Sequence, residues 1–165
     1  MIFLDSTYLM GVILKKDTYT EKALQLKPIL KNERKLINNT VFTEVLNSLT
    51  ATNSNYNVNE LTELLLSYEI DFLDQDDYKE ADVSFKYYNH TINFSDCTIL
   101  QTMIKNGVTT IVSFDSDFVE LPRRVDDGDS QTKKNIFFGN FYCTVVPTIS
   151  NPLLRILIAA LRSRS

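Results

Sequence analysis

Apolar residues fall along this chain in short runs, separated by polar stretches that carry helix-start signals. Ile2, Phe3 and Leu4 form a continuous run ending at Asp5, the pattern of a strand buried on both faces. Ser6 or Thr7 is placed to cap a helix to about Leu14, and Thr18 or Thr20 to cap another to about Leu30. Residues 35–38 predict a second strand. Asn39 or Thr40 supplies the cap for a helix over 41–51, with Val41, Val45, Leu46 and Leu49 on one face and Glu44 in its first two turns. An Asn-, Thr- and Ser-rich connection over 51–57 leads to a helix over 58–67, where Leu61, Leu64 and Leu65 recur at helical spacing. Residues 70–73 read as a third strand. A polar start at 74–77 then opens a helix to about Tyr88, with Ala81, Phe85 and Tyr88 on one face. Ser95 caps a helix over 96–105 stopped by Asn106 and Gly107, and 109–113 makes a fourth strand that runs into Phe114 and Asp115.

Strands alternating with helices predict an α/β fold, a parallel sheet covered on both faces. Ligands of such sheets bind beyond the carboxyl ends of the strands. Asp5 and Asp115 occupy that position after the first and fourth strands, and Asp96 opens the helix before the fourth. Residues far apart in sequence are thereby expected to meet.

Composition narrows the chemistry. At 165 residues the chain suffices for one compact core. Its 44% hydrophobic and 23% charged content is that of a folded globular protein. There is no apolar run of about eighteen residues to span a bilayer, and the first ten residues lack the basic flank and cleavage site of a signal peptide. A cytoplasmic location is the expectation. Cys97 and Cys143 lack zinc-site spacing and read as unpaired thiols, and His90 is the only histidine. That argues against Ser-His or Cys-His catalysis and leaves carboxylates to carry any chemistry. A net charge of −4 disfavours direct phosphate binding, unless bound cations cover the carboxylates.

The composition changes after Phe118. Residues 1–118 hold one arginine, Arg34, and one proline, Pro28, whereas 119–165 hold five arginines and three prolines and are locally basic. We therefore divide the chain into a domain over 1–118 and an atypical basic extension over 119–165, either native or foreign to the fold. Within the extension, 133–146 predicts a strand or hairpin and 152–161 a short apolar helix.

Read together, MIFLDSTYL, NNTVFTEVLNSL, INFSDCTIL and TTIVSFDSDF resemble the PIN-domain family, particularly the toxin-like ribonucleases of toxin-antitoxin systems. The resemblance spans most of residues 1–118. It rests on a strand followed by Asp5 and Ser6, Glu44 early in a helix, Asp96 at a helix start, and a turn with Ser113, Asp115, Asp117 and Phe118. It implies a three-layer α/β/α fold with a short, mostly parallel sheet of four or five strands. It also implies an acidic pocket for Mg²⁺ or Mn²⁺, cleavage of single-stranded RNA, a small antitoxin partner and a homodimer, with the first helices as candidate contacts.

The residue chemistry points the same way. Hard divalent cations prefer carboxylate oxygens and water, and a bound cation activates water and neutralises charge at a phosphodiester. Asp5 and Asp96 are the leading candidate ligands, with Asp115 completing the site and Asp117 a further candidate. Glu44 is the candidate for orienting or deprotonating water, or for a ligand. Ser6, Thr40 and Ser113 are candidate donors that orient the carboxylates. Each has a plainer reading: single Asp residues after strands or at helix starts are more often caps, and a single Glu in a helix is usually solvated. Several carboxylates converging on one place would repel one another without a cation, which favours a site. His90 reads as a surface or capping residue, and Tyr87 and Tyr88 as packing residues rather than base-stacking ones. Lys15, Lys16, Arg34, Arg123, Arg124, Lys133 and Lys134 are candidate phosphate contacts and, more plainly, solvated surface. Two competing readings are a PIN scaffold that binds RNA or protein without cutting, and an aspartyl phosphatase. The second is disfavoured because Ser6 and Thr7, not a further Asp, follow Asp5.

Overall fold

The computed structural model describes residues 1–14, 18–51, 57–118 and 142–145. Its elements run β1 (Ile2–Leu4), α1 (Ser6–Ile13), α2 (Thr20–Leu26), β2 (Lys35–Asn38), α3 (Asn39–Ala51), α4 (Val58–Leu66), β3 (Glu69–Asp71), α5 (Gln75–Tyr87), α6 (Phe94–Lys105) and β4 (Thr110–Ser113). A 3₁₀ turn (Ser116–Phe118) and β5 (Tyr142–Val145) follow. Five strands form one sheet in the order β3-β2-β1-β4-β5, every pairing parallel. The chain winds outward from β1 in one direction through β2 and β3, then returns to the other side of β1 with β4. The reversal opens a crevice between β1 and β4, where open parallel sheets bind their ligands.

Helices cover both faces in the expected α/β/α arrangement. On one side α1 packs on α2 and α3; on the other α5 packs on α6. The core is the sheet itself: Phe3, Leu4, Ile37, Ile111 and Val112 are nearly inaccessible, each burial contributing roughly 1.5–3 kcal/mol. From α3, Val41, Val45 and Leu49 are buried as predicted. In α4, Leu61 and Leu65 are buried but Leu64 is exposed, because the buried stripe there follows an i, i+4 spacing.

The first helices differ from expectation at their ends. α2 stops at Leu26 and not near Leu30, since Pro28 has no N–H to donate back into the helix. Caps also shift. The side chain of Asn38, the last residue of β2, accepts the Val41 N–H at 3.0 Å, so it caps α3 in place of Asn39 or Thr40. Asn39 Oδ1 instead accepts the Leu73 N–H at 3.0 Å. α6 starts at Phe94, with Asn93 at its N-cap, so Ser95 lies inside the first turn. At its other end Gly107 adopts φ +62° and closes the helix.

β5 lies in the stretch for which a strand or hairpin was predicted and pairs with β4 from Thr110↔Tyr142 to Ser113↔Val145. The helix predicted over 152–161, the candidate contacts Lys15, Lys16, Arg123, Arg124, Lys133 and Lys134, and the 52–56 connection lie outside the described residues. Arg34 is described and pairs with Glu69 across 2.8 Å.

Candidate active site

Asp5 leaves the carboxyl end of β1 and is itself the N-cap of α1, the role expected of Ser6 or Thr7. It is 3% exposed. Its Oδ2 accepts hydroxyl hydrogen bonds from Thr7 at 2.5 Å and Ser113 at 2.7 Å, while Ser6 Oγ donates to Oδ1 at 3.4 Å. Three hydroxyls thus fix one carboxylate at the end of the central strand. Ser113 brings β4 to it directly, and the Asp5 N–H donates to the Val112 carbonyl at 3.1 Å.

The segment after β4 is built on the same hydroxyls. The Phe114 N–H donates to Thr7 Oγ1, and the Asp115 N–H to Ser113 Oγ, both at 2.9 Å. The Asp117 N–H then donates to Asp115 Oδ1 at 2.9 Å, which turns the chain sharply and keeps both carboxylates near the crevice. Asp96 arrives from the opposite helical layer, in the first turn of α6. One carboxylate oxygen from each of Asp96, Asp115 and Asp117 lies within 4.8 Å of the others. Asp5 stands beside this trio, outside that 4.8 Å grouping, close enough to act on Asp96 electrostatically.

Asp96 bears the strain of the arrangement. It is 6% exposed, and its Oδ2 has no hydrogen-bond partner. Burial first, and then the charges of Asp115, Asp5 and Asp117, push its carboxyl up to about 7, against a smaller opposing contribution from a hydrogen bond with the Asn93 backbone. Among the described residues no ion pair reaches Asp5, Asp96 or Asp115; Lys105, for instance, is engaged by Asp71 and Asp77 at 3.0 and 2.8 Å. A buried carboxylate oxygen without a donor is costly, and a cation held among these oxygens would satisfy it. The donor set is all oxygen, as hard divalent cations require. The residues therefore fit a divalent ion, with Asp96, Asp115 and Asp117 as the compact set and Asp5 adjoining.

Glu44 reaches the same centre from α3. It is exposed at the rim, yet desolvation raises its carboxyl above the usual range, the Ser6 hydrogen bond opposes this, and Asp5 and Asp115 add to the rise. Thr40 lies one turn before it and lines, with Glu44, an open depression of about 500 Å³. Thr40 is thus placed beside Glu44 and at the mouth of the site, whereas Ser6 and Ser113 touch Asp5. Thr7, which the sequence offers only as a helix cap, also holds the Asp5 carboxylate through its hydroxyl, a contact its two-residue offset from Asp5 puts within reach.

The plainer readings hold for His90 and Tyr88, whereas Tyr87, expected to pack, does not enter the core. His90 is exposed, adopts φ +61° and donates its N–H to the Phe85 carbonyl beyond the end of α5. Tyr88 is a core residue and Tyr87 is exposed. Cys97 is a free thiol, fully buried, and burial pushes it up to about 11.

The PIN domain family model matches residues 2–124. The chain belongs to the PIN domain family. Its fold also matches a solved structure, VapC20 of Mycobacterium tuberculosis, a toxin that cleaves the sarcin-ricin loop. That match has a TM-score of 0.63 at 19% identity and covers 72% of this PIN chain and 93% of VapC20. No curated protein sequence matches the chain. Among the described residues no helix is long and apolar enough to cross a membrane.

Proposed function

We propose that this PIN domain is a Mg²⁺- or Mn²⁺-dependent endoribonuclease that hydrolyses phosphodiester bonds in single-stranded RNA. The observation that carries this reading is the trio Asp96, Asp115 and Asp117, within 4.8 Å of one another, with the buried Asp96 Oδ2 lacking any donor. When bound there, the ion supplies positive charge at the scissile phosphate and acidifies water.

The chain's own residues supply the rest. Asp96, Asp115 and Asp117 hold the ion, and Asp5 adds a carboxylate whose orientation is fixed by Thr7 and Ser113. Glu44, raised above the usual carboxylate range and open to solvent, takes the proton from the attacking water at its carboxylate. Ser6 lies between Glu44 and Asp5, with one hydroxyl proton to donate to either carboxylate. The hydroxyls of Ser6, Thr7 and Ser113 are committed to donating to carboxylates, so water and not a side chain is the nucleophile.

A small antitoxin partner, homodimerisation and a cytoplasmic setting belong to the same proposal. The antitoxin role draws support from the toxin named among the structural matches, and a short neighbouring antitoxin gene is its expected genomic signature. The enzymatic claim is tested with purified full-length chain on an unstructured RNA. Cleavage is expected with Mn²⁺, is lost in EDTA, and falls at least about 100-fold in Asp96→Asn. Full activity in EDTA or in the variant would refute it, and failure of the wild type to bind Mn²⁺ would favour a non-cutting scaffold.

A further inference from the structure

The depression beside Glu44 has a lining that differs in kind from the acidic centre. It is lined by Asn39, Thr43 and Asn47, one turn apart on α3, and by Tyr78 of α5 and Ser95 of α6. Glu44 belongs to both places: it lines the depression and feels the charges of Asp5 and Asp115. A chain lying across the acidic centre thus continues directly into this cavity.

Among the described residues the lining contains no lysine, arginine or histidine, and the one charge there is a carboxylate. It is unsuited to a phosphate and suited to a neutral group with hydrogen-bonding edges. Asn39 Oδ1 accepts the Leu73 N–H, so the group this side chain offers a base edge is its Nδ2, as a donor. Thr43 lines the cavity and its hydroxyl donates to the Asn39 carbonyl at 2.8 Å, so toward a ligand it can act as an acceptor. Tyr78 is 40% exposed, and its ring lies parallel to that of Phe94, 6° apart with centroids at 6.3 Å. A large aromatic ring held exposed at the edge of a polar cavity is the platform on which unpaired bases stack. The volume of about 500 Å³ falls in the range of small-molecule sites, roughly 300–1,000 Å³, and accommodates one nucleoside.

We propose that this depression is a nucleoside subsite that seats the base flanking the scissile bond, with Tyr78 as its stacking surface and the Asn39 amide nitrogen and the Thr43 hydroxyl oxygen as its hydrogen-bonding groups. It rests on the reading of the acidic centre as an RNA-cutting site and adds a determinant of which nucleotide stands next to the cut.

The test uses ¹⁵N-labelled full-length protein in EDTA, titrated separately with adenosine, cytidine, guanosine and uridine, and with ribose as the base-free control. At least one nucleoside is expected to shift the signals of Asn47, Tyr78 and Ser95, saturating in the millimolar range, while ribose leaves them in place. Tyr78→Ala weakens that binding about fivefold or more, and Tyr78→Phe, which keeps the ring, retains it. The spectrum of each variant reports directly that it is folded. Absence of shifts with all four nucleosides, or undiminished binding in Tyr78→Ala, overturns the subsite. Because no bond is cut, nucleoside binding by a protein that fails to cleave RNA would refute the nuclease and leave the subsite. Cleavage without nucleoside binding would do the reverse.

Discussion

At Asp96 the fold keeps a carboxyl group where its charged form is penalised by burial and by three neighbouring acids. Its ordinary value of 3.8 rises to about 7 on folding, so the folded chain holds this proton more tightly than the unfolded one. The resulting stabilisation is complete below about pH 4 and disappears as pH rises through about 7. The span corresponds to about 4 kcal/mol at most. In EDTA, wild-type stability relative to Asp96→Asn is therefore expected to decline between pH 4.5 and 7.5, as measured by urea denaturation, with the variant the more stable of the two at the upper end. A constant difference across that range would contradict the assignment. Thr7 makes a second expectation at this scale. Removing its hydroxyl in Thr7→Val deprives both Asp5 and the Phe114 N–H of a partner, which is expected to destabilise by about 1–3 kcal/mol and to lower cleavage together with stability.

Between elements, two contacts decide how well the crevice is held. Asn38 is fully buried at the end of β2, donates to Thr102 of α6 at 3.0 Å and accepts the Val41 N–H of α3. Asn38→Ala is expected to cost about 2–3 kcal/mol by unfolding titration. Gly11 of α1 faces α2 so closely that an added Cβ would sit 3.0 Å from Ala23 Cβ and 3.3 Å from the Tyr19 carbonyl oxygen. Gly11→Val is expected to lose about 1–3 kcal/mol, seen as a Tm lower by several degrees, roughly 2–4 °C per kcal/mol. β1 and β4 were legible in the sequence because continuous apolar runs ending in a polar residue leave little alternative, whereas β3, predicted over 70–73, is Glu69–Asp71 with a single apolar residue. Asp5, Asp96 and Asp115 were legible because each follows such a run or opens a helix, whereas Glu44, inside α3, stood out only through the family resemblance. Caps were less so. Asp5 and Asn38 end strands and cap the following helices at once, and hydroxyl preferences pointed one or two residues downstream of them. Asp117 gained weight only from the turn that ties its N–H to Asp115, a contact no spacing rule contains. The exposure of Leu64 likewise depends on which neighbour α4 meets.

Over the whole molecule, a net charge of −4 makes any encounter with RNA dependent on cations. If the acidic centre binds Mn²⁺, the folded state alone gains from it, by about 2.7 kcal/mol at one hundred times Kd. Protonation of Asp96 competes with the ion, so the rise in Tm on adding Mn²⁺ is expected to be larger at pH 7.5 than at pH 5.5 and to be reversed by EDTA. Equal shifts at the two pH values would place the ion elsewhere. The strand order also bears on synthesis. β1 sits at the centre of the sheet, yet its neighbour β4 and the Ser113 hydroxyl that holds Asp5 come 108 residues later. Such long-range pairing slows folding, and a chain emerging from the ribosome cannot close the crevice until residues 113–118 are free of it. The acidic centre is thereby left unassembled until those residues have emerged, and on the ribonuclease reading proposed above this is an interval in which an antitoxin partner can be ready before the RNA around it is at risk.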